Sequence, residues 1–107
     1  MATKDGMDEQ AADELLLYLD TTVDYYPKKK VIAANLLKMI KRGTYEHKLA
    51  PQAWSYVVDD AAKGYAKEWA DVKDWATIFP ASTRRITAQD LADRWYANAK
   101  AGRPEEV

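Results

Sequence analysis

The sequence predicts an all-α fold, a compact single-domain bundle of four main helices plus one short helix. Apolar residues recur three and four positions apart in several stretches, which is the period of a helix with one buried face. Pro27 and Gly43 bracket one stretch at positions that suit the first turn and the left-handed C-cap of a helix. The chain has 107 residues and no internal repeat or linker. We therefore expect one domain over 1–107.

The helix over 51–69 is predicted to be the central one, around which the others pack. Pro51 suits its first turn, and polar residues such as Gln52 and Lys63 lie on the opposite face. Its two tryptophans and one tyrosine can cover several partner helices at once. The predicted apolar stripe consists of Trp54, Val57, Val58, Ala61, Tyr65 and Trp69.

Two helices are predicted before the central one. The first begins at Asp8, after a flexible tail over 1–7, and acids near its start favour a helix over a short strand. The second begins at Pro27 and ends at Gly43. The core residues expected from these helices are Leu15, Leu19, Ile32, Leu36 and Ile40.

A short helix and a final helix follow the central one. Phe79 is expected to point inward just before Pro80, and 80–86 is left open between a helical turn and a loop. Thr87 and Asp90 then form a pattern like a capping box, which predicts that the last helix begins at Thr87. That helix is expected to bury Leu91 and Trp95 and to end at Gly102, before a flexible tail over 103–107.

Charge is divided into blocks along the chain, although the net charge is −1. Residues 1–27 hold seven acids against Lys4, a balance of −6, and residues 28–48 hold seven bases against Glu46, a balance of +6. One interpretation is that the acidic first helix packs beside the basic second helix. The other is a surface for nucleic acid or an acidic partner. We favour the first because the blocks match in size and are neighbours in sequence.

Catalytic and metal-binding patterns are scarce. His47 is the only histidine, and the absence of cysteine removes disulfides, thiolate zinc sites and cysteine nucleophiles. No phosphate-binding glycine loop or calcium-loop spacing occurs. We therefore expect no enzyme, no cofactor and no metal site. The cysteine content, with no apolar run long enough to span a membrane, leads us to expect a cytoplasmic protein.

Nucleic-acid binding through the second helix is the alternative function. Its basic residues would contact phosphates, since no sequence-reading element is apparent. The segment 86–95 resembles the first helix of a helix-turn-helix module, but too few residues follow it to form a recognition helix. The tryptophans fall on apolar stripes and are better explained as core than as base-stacking platforms. The candidate phosphate contacts are Lys28, Lys29, Lys30, Lys38, Lys41 and Arg42.

Several short motifs occur in a fixed order over about residues 15–69. They are LLLYLD, a Tyr-Tyr pair, Asn-Leu, Gly-Thr-Tyr, and a helix that ends in Lys-Gly-Tyr-Ala-Lys-Glu-Trp. In this order the chain resembles a family of short uncharacterised all-helical proteins encoded by bacteriophages and other bacterial mobile elements. Pro51 departs from the continuous helix start of that family.

The resemblance implies an origin but no activity. It suggests a phage or mobile-element protein that acts in a host cytoplasm. Together with the missing catalytic set, it leads us to expect a non-catalytic protein that binds a host or phage protein, one version being an inhibitor of a bacterial defence system. The oligomeric state and the binding surface are not predicted.

Overall fold

A computed structural model describes the backbone of residues 2–70 and 75–106, and the side chains of residues 9–68 and 75–106. The main helices are α1 (Ala2–Thr21), α2 (Tyr26–Arg42), α3 (Ala50–Tyr65) and α5 (Ala81–Lys100), with the short α4 (Trp75–Ile78) between the last two. Single 3₁₀ turns, Val23–Tyr25 and His47–Leu49, lead into α2 and α3. Every regular element in these ranges is helical, which confirms the predicted all-α bundle.

Helix α3 is at the centre, as predicted, because α1, α2, α4 and α5 all pack against it. Proline in the first turn opens both α2 and α3, and Gly43 ends α2 with a left-handed φ of 75°. A π-helical turn, Ala66–Ala70, continues α3 where a uniform α-helix was expected. The predicted core residues that lie buried are Leu15, Leu19, Leu36, Trp54, Val57, Val58, Ala61, Phe79, Leu91 and Trp95.

Four predicted core residues need separate comment. Ile32 and Tyr65 are half-buried at the edge of the core, where Tyr65 packs edge-to-face on Phe79 with ring centroids 5.1 Å apart. Ile40 was predicted to be core but is 36% exposed, because the last turns of α2 border a hollow beside α5. The side chain of Trp69 lies outside the described residues.

The acidic first helix does not pack along the length of the basic second helix, so the favoured interpretation of the charge pattern holds only where the two helices meet. Helix α1 lies mainly against α5 and α3, and α2 lies mainly against α3. The Lys29 ammonium is 3.6 Å from a carboxylate oxygen of Asp20, which joins the two blocks at one point, and Lys28 pairs with Asp60 on α3. The outer surface of α2 therefore keeps much of its positive charge.

Helix α5 begins six residues earlier than predicted. Pro80 has extended backbone angles and precedes the first turn, so 81–86 is helical and Thr87 lies inside the helix. The Thr87 hydroxyl donates a hydrogen bond to the Ala12 carbonyl oxygen at 3.0 Å. The residue that resembled an N-cap therefore joins the last helix to the first.

Both terminal segments also differ from the expected tails. Helix α1 begins at Ala2, so residues 2–7 are helical. After α5 the chain folds back, and the indole Nε1 of Trp95 donates to the Pro104 carbonyl oxygen at 2.8 Å. Within the described ranges, no helix has the length and apolar character needed to cross a membrane.

Candidate functional site

Two of the six candidate phosphate contacts are close to carboxylates of the chain itself. Lys29 is buried at 3% exposure and lies near Asp20, which also accepts two hydrogen bonds from Arg94 at 2.9 and 3.0 Å. Burial opposes ionisation of Asp20, but the hydrogen bonds and charge of Arg94, with the charge of Lys29, outweigh it and lower its pKa. Lys28 pairs with Asp60. The prediction that Lys29 contacts a ligand is therefore wrong, and Lys28 already has a carboxylate partner.

The other four candidates remain on the surface of α2. At about 100° per residue, Lys30, Lys38, Lys41 and Arg42 fall within an arc of about 120° around the helix. All four are exposed, and none forms an ion pair with another residue that the structure describes. Lys30 lies over the Tyr26 ring, with Nζ 4.9 Å from the centroid.

A groove runs between α2 and the C-terminal end of α5. It consists of two hollows of about 350 and 330 Å³ that meet at Leu37. We call it the α2–α5 groove, and its lining is mostly aliphatic and aromatic. Its residues are Lys30, Ala33, Ala34, Leu37, Ile40, Gly43, Tyr45, Tyr96, Ala99, Lys100, Pro104 and Glu105.

Two stacked tyrosines form one end of the groove. The rings of Tyr45 and Tyr96 lie 5.2 Å apart at an interplanar angle of 20°, and His47 stacks on Tyr96 at 4.8 Å. Lys100 lies over the Tyr96 ring, with Nζ 5.0 Å from its centroid. These contacts hold the aromatic rings in fixed orientations at this end of the groove.

A hydrogen-bonded chain supports this wall. The Tyr45 hydroxyl is 2.8 Å from His47 Nδ1, and His47 Nε2 is 2.7 Å from Asp93 Oδ1. Gln89 donates to the same carboxylate oxygen at 2.9 Å. With its proton on Nε2, a neutral imidazole donates to Asp93 and accepts from Tyr45, so all three groups are satisfied. His47, which lacked an apparent partner in the sequence, is oriented by Asp93 from 46 positions away.

The Tyr–His–Asp order resembles that of a catalytic triad. Burial, followed by the electrostatic influence of Tyr96 and Asp93, raises the pKa of Tyr45 to about 12. The phenol therefore keeps its proton at neutral pH. Both ring nitrogens of His47 are engaged within the chain, by Tyr45 and by Asp93. These contacts hold the three side chains in fixed positions relative to one another.

No arrangement for a metal ion is found in the described ranges, where no three His, Asp or Glu side chains are grouped suitably. Comparison of the chain with protein-family models, curated proteins and solved structures gives no match. The resemblance to phage and mobile-element proteins therefore stays a prediction.

Sequence reasoning located one wall of the groove and missed the other. The basic second helix was identified, but Tyr96, Ala99 and Lys100 on α5 were not. Tyr96 follows the core residue Trp95 and lies about 100° further around α5, so it is half-buried at the edge of the core. That signal does not reveal which helix lies beside it, because Tyr96 meets Tyr45 only through the packing of the bundle.

Proposed function

We propose that this chain is a non-catalytic binding protein that recognises a protein partner through the α2–α5 groove. The observation that carries the proposal is an open apolar groove walled by Leu37, Ile40 and Tyr96 and flanked by lysines. Partner binding commonly uses an apolar centre within a charged rim. A pre-stacked aromatic wall also suits a hot spot, since tyrosine is enriched at such positions.

The scarcity of catalytic patterns in the sequence supports a non-catalytic role. At the wall of the groove, the Tyr45 hydroxyl and the His47 imidazole are joined to Asp93 and hold the aromatic rings in place. The resemblance stated above makes a host or phage protein the partner class that we propose. An inhibitor of a bacterial defence system is one specific version.

Site-specific cross-linking in bacterial cells tests this proposal. A photo-reactive phenylalanine analogue is placed at Ile40 in the groove or, as the control, at Tyr56, which is 75% exposed on α3. We expect a discrete protein adduct from position 40 that is absent from position 56. The same adducts from both positions, or none from position 40, would argue against the groove as a binding site.

Nucleic-acid binding through α2 is the second candidate. It is supported by the exposed arc of Lys30, Lys38, Lys41 and Arg42, and it now involves four cations rather than six. Four phosphate contacts predict a log–log salt slope of about −3.6, at about −0.9 per contact. A labelled duplex is titrated at about 50 and 200 mM salt, with Lys38→Glu/Lys41→Glu as the test variant. Absence of binding at the lower salt, or no effect of the variant, excludes this candidate.

A further inference from the structure

We propose that the occupant of the α2–α5 groove is an acidic amphipathic helix of the partner protein. This inference rests on the proposed function and adds the chemistry of the ligand. It draws on three properties of the groove: its length, the size of the side chains along it, and the charges at its rim.

The length of the groove suits a helix of about three turns. Its α2 wall extends from Lys30 to Gly43, which at about 1.5 Å per residue corresponds to about 20 Å. A helix of that length presents apolar side chains at i, i+3 or i+4, and i+7 along one face. Such a spacing places anchors beside both hollows, on either side of Leu37.

Small side chains allow a helix to approach closely. Ala33 and Ala34 precede the larger Leu37 and Ile40 on the α2 wall, and Ala99 lies on the α5 wall of the same hollow as Ile40. Helices pack by fitting the ridges of one surface into the grooves of another, at axial separations of about 8–10 Å. Small residues beside large ones provide those recesses, so leucine side chains of a ligand helix fit between them.

The rim carries positive charge on both sides. Lys30 lines the α2 wall, and Lys41 lies only about 20° from it around that helix. Lys100 lines the α5 wall opposite. In the part of the chain that the structure describes, these three lysines form no ion pair. Complementary charge across an interface selects partners and speeds encounter, so acidic residues are expected to flank the apolar face of the ligand.

The charge of the rim differs between the two ends of the groove. Glu105 lines the end of the groove near Lys30, whereas Lys41 and Lys100 lie toward the Gly43 end. The acids of the ligand helix are therefore expected to concentrate beside Lys41 and Lys100. A uniformly acidic helix would meet Glu105 unfavourably at the other end.

Fluorescence anisotropy with defined peptides tests the inference. The probe is a labelled alanine-based peptide of about 16 residues, with leucines at i, i+4, i+7 and i+11 and with glutamates beside the leucines concentrated in one half of the peptide. There are three comparison peptides. The first has lysine in place of glutamate, and the second has the same composition with its leucines spread around the helix. The third has a central proline that breaks the helix. We expect the acidic amphipathic peptide to bind most tightly. Its affinity should fall as the salt concentration rises from about 50 to 200 mM.

Substitutions in the protein show whether the peptide occupies the groove. Ile40→Glu and, independently, Lys41→Glu/Lys100→Glu are expected to weaken binding at least about tenfold. Val31→Glu is the matched control, because Val31 is 61% exposed on the same helix but about 180° around it from Ile40. Its effect should stay within about twofold. Circular dichroism confirms that each variant keeps its helical content.

The outcomes separate this inference from the proposed function. The lysine or proline peptide could bind more tightly than the acidic amphipathic peptide and lose that binding in Ile40→Glu. This result would overturn the inference that the ligand is an acidic helix, but the groove would remain the binding site. Failure of every peptide to bind at about 1 mM would overturn the inference. The cross-linking result would still decide whether the groove binds a protein. A dimer seen by sedimentation and lost in Ile40→Glu would replace the acidic peptide with a second copy of the chain.

Discussion

Trp54 and Trp95 pack together at the centre of the bundle, with ring centroids 6.5 Å apart and planes inclined at 51°. Both are almost fully buried, but their indole nitrogens differ. Trp95 Nε1 donates to the Pro104 carbonyl oxygen, whereas Trp54 Nε1 has no hydrogen-bond partner among the residues that the structure describes. A buried donor without a partner costs about 1–3 kcal/mol, so Trp54 contributes apolar packing at the expense of one unmade bond.

Replacing each tryptophan with phenylalanine separates these roles. Both changes remove part of a buried ring, but Trp95→Phe also removes a hydrogen bond and Trp54→Phe removes an unpaired donor. We expect Trp95→Phe to lower the free energy of unfolding by about 1 kcal/mol more than Trp54→Phe. Urea denaturation followed by circular dichroism measures the difference. Equal losses would show that the Pro104 contact contributes nothing.

Full truncation tests whether Trp54 anchors the core. Trp54→Ala leaves a large cavity beside Val57, Val58 and Trp95 and should cost about 3–5 kcal/mol. A typical domain has about 5–15 kcal/mol in total, so the melting temperature should fall sharply. An unchanged melting temperature would contradict the central position assigned to α3.

Gly64 allows the Tyr25 hydroxyl to approach α3. A Cβ built at position 64 would overlap the Tyr25 hydroxyl oxygen and would lie 3.3 Å from the Tyr18 hydroxyl oxygen, whereas its 3.5 Å distance from the Tyr25 ring atom Cζ is ordinary contact. Gly64→Ala should therefore destabilise the protein by about 1–3 kcal/mol despite the better helix propensity of alanine.

Removal of the Tyr25 hydroxyl should reduce the effect. In the Tyr25→Phe background, Gly64→Ala is expected to cost less, because the overlap is gone and the Tyr18 hydroxyl at 3.3 Å is the tight contact that remains. Tyr25→Phe alone should cost little, since its hydroxyl is 3.5 Å from the Asp60 carbonyl oxygen. A double-mutant cycle measures the coupling. Additive effects would mean that the two residues do not conflict.

Thr87 tests the link between the first and last helices. Thr87→Val keeps the shape of the side chain but removes the buried hydrogen bond to Ala12, which should cost about 1–2 kcal/mol. Thr87→Ser keeps the hydroxyl and serves as the comparison. Any stability that it loses arises from the removal of one methyl group. If valine proves as stable as threonine, the bond to Ala12 does not stabilise the bundle.

Two aspartates should respond to acid in opposite directions. Folding lowers the pKa of Asp20, so its carboxyl binds a proton more tightly in the unfolded chain than in the folded protein. Ionised Asp20 therefore stabilises the fold. That stabilisation is lost as the pH falls below the ordinary pKa of 3.8 and through the lower pKa of the folded state. Burial, followed by the charges of Asp13 and Asp93, raises the pKa of Asp90. Ionised Asp90 therefore destabilises the folded protein at neutral pH. This destabilisation disappears as the pH falls through the raised pKa toward the ordinary pKa of aspartate.

The same substitution at both positions tests this contrast. At pH 7, Asp20→Asn should lower the melting temperature, whereas Asp90→Asn should raise it. The difference between each variant and the parent should shrink as the carboxyl of the parent becomes protonated. Melting curves from pH 3 to pH 7 provide the measurement. A shift of the same sign for both variants would contradict the assigned environments.

Local patterns predicted most of the helices because they depend on nearby residues. The stripe in α3 and the left-handed cap at Gly43 both follow from spacing within one helix. Thr87 shows the limit, since the same hydroxyl can cap a helix or reach a neighbouring one, and Pro80 had already started the helix. Ile40 and the Asp93 partner of His47 required knowledge of which helices are adjacent, which periodicity does not contain.

The contact between Thr87 and Ala12 also bears on how the chain folds during synthesis. These residues are 75 positions apart, and α1 packs against α5, so α1 lacks a principal neighbour until the last helix has been made. At about 5–20 residues per second, ribosomes need about 4–15 s to add that length. Leu15 and Leu19 lie uncovered by α5 during that delay. We expect the balance of −6 over residues 1–27 to oppose association between such exposed segments, because like charges repel.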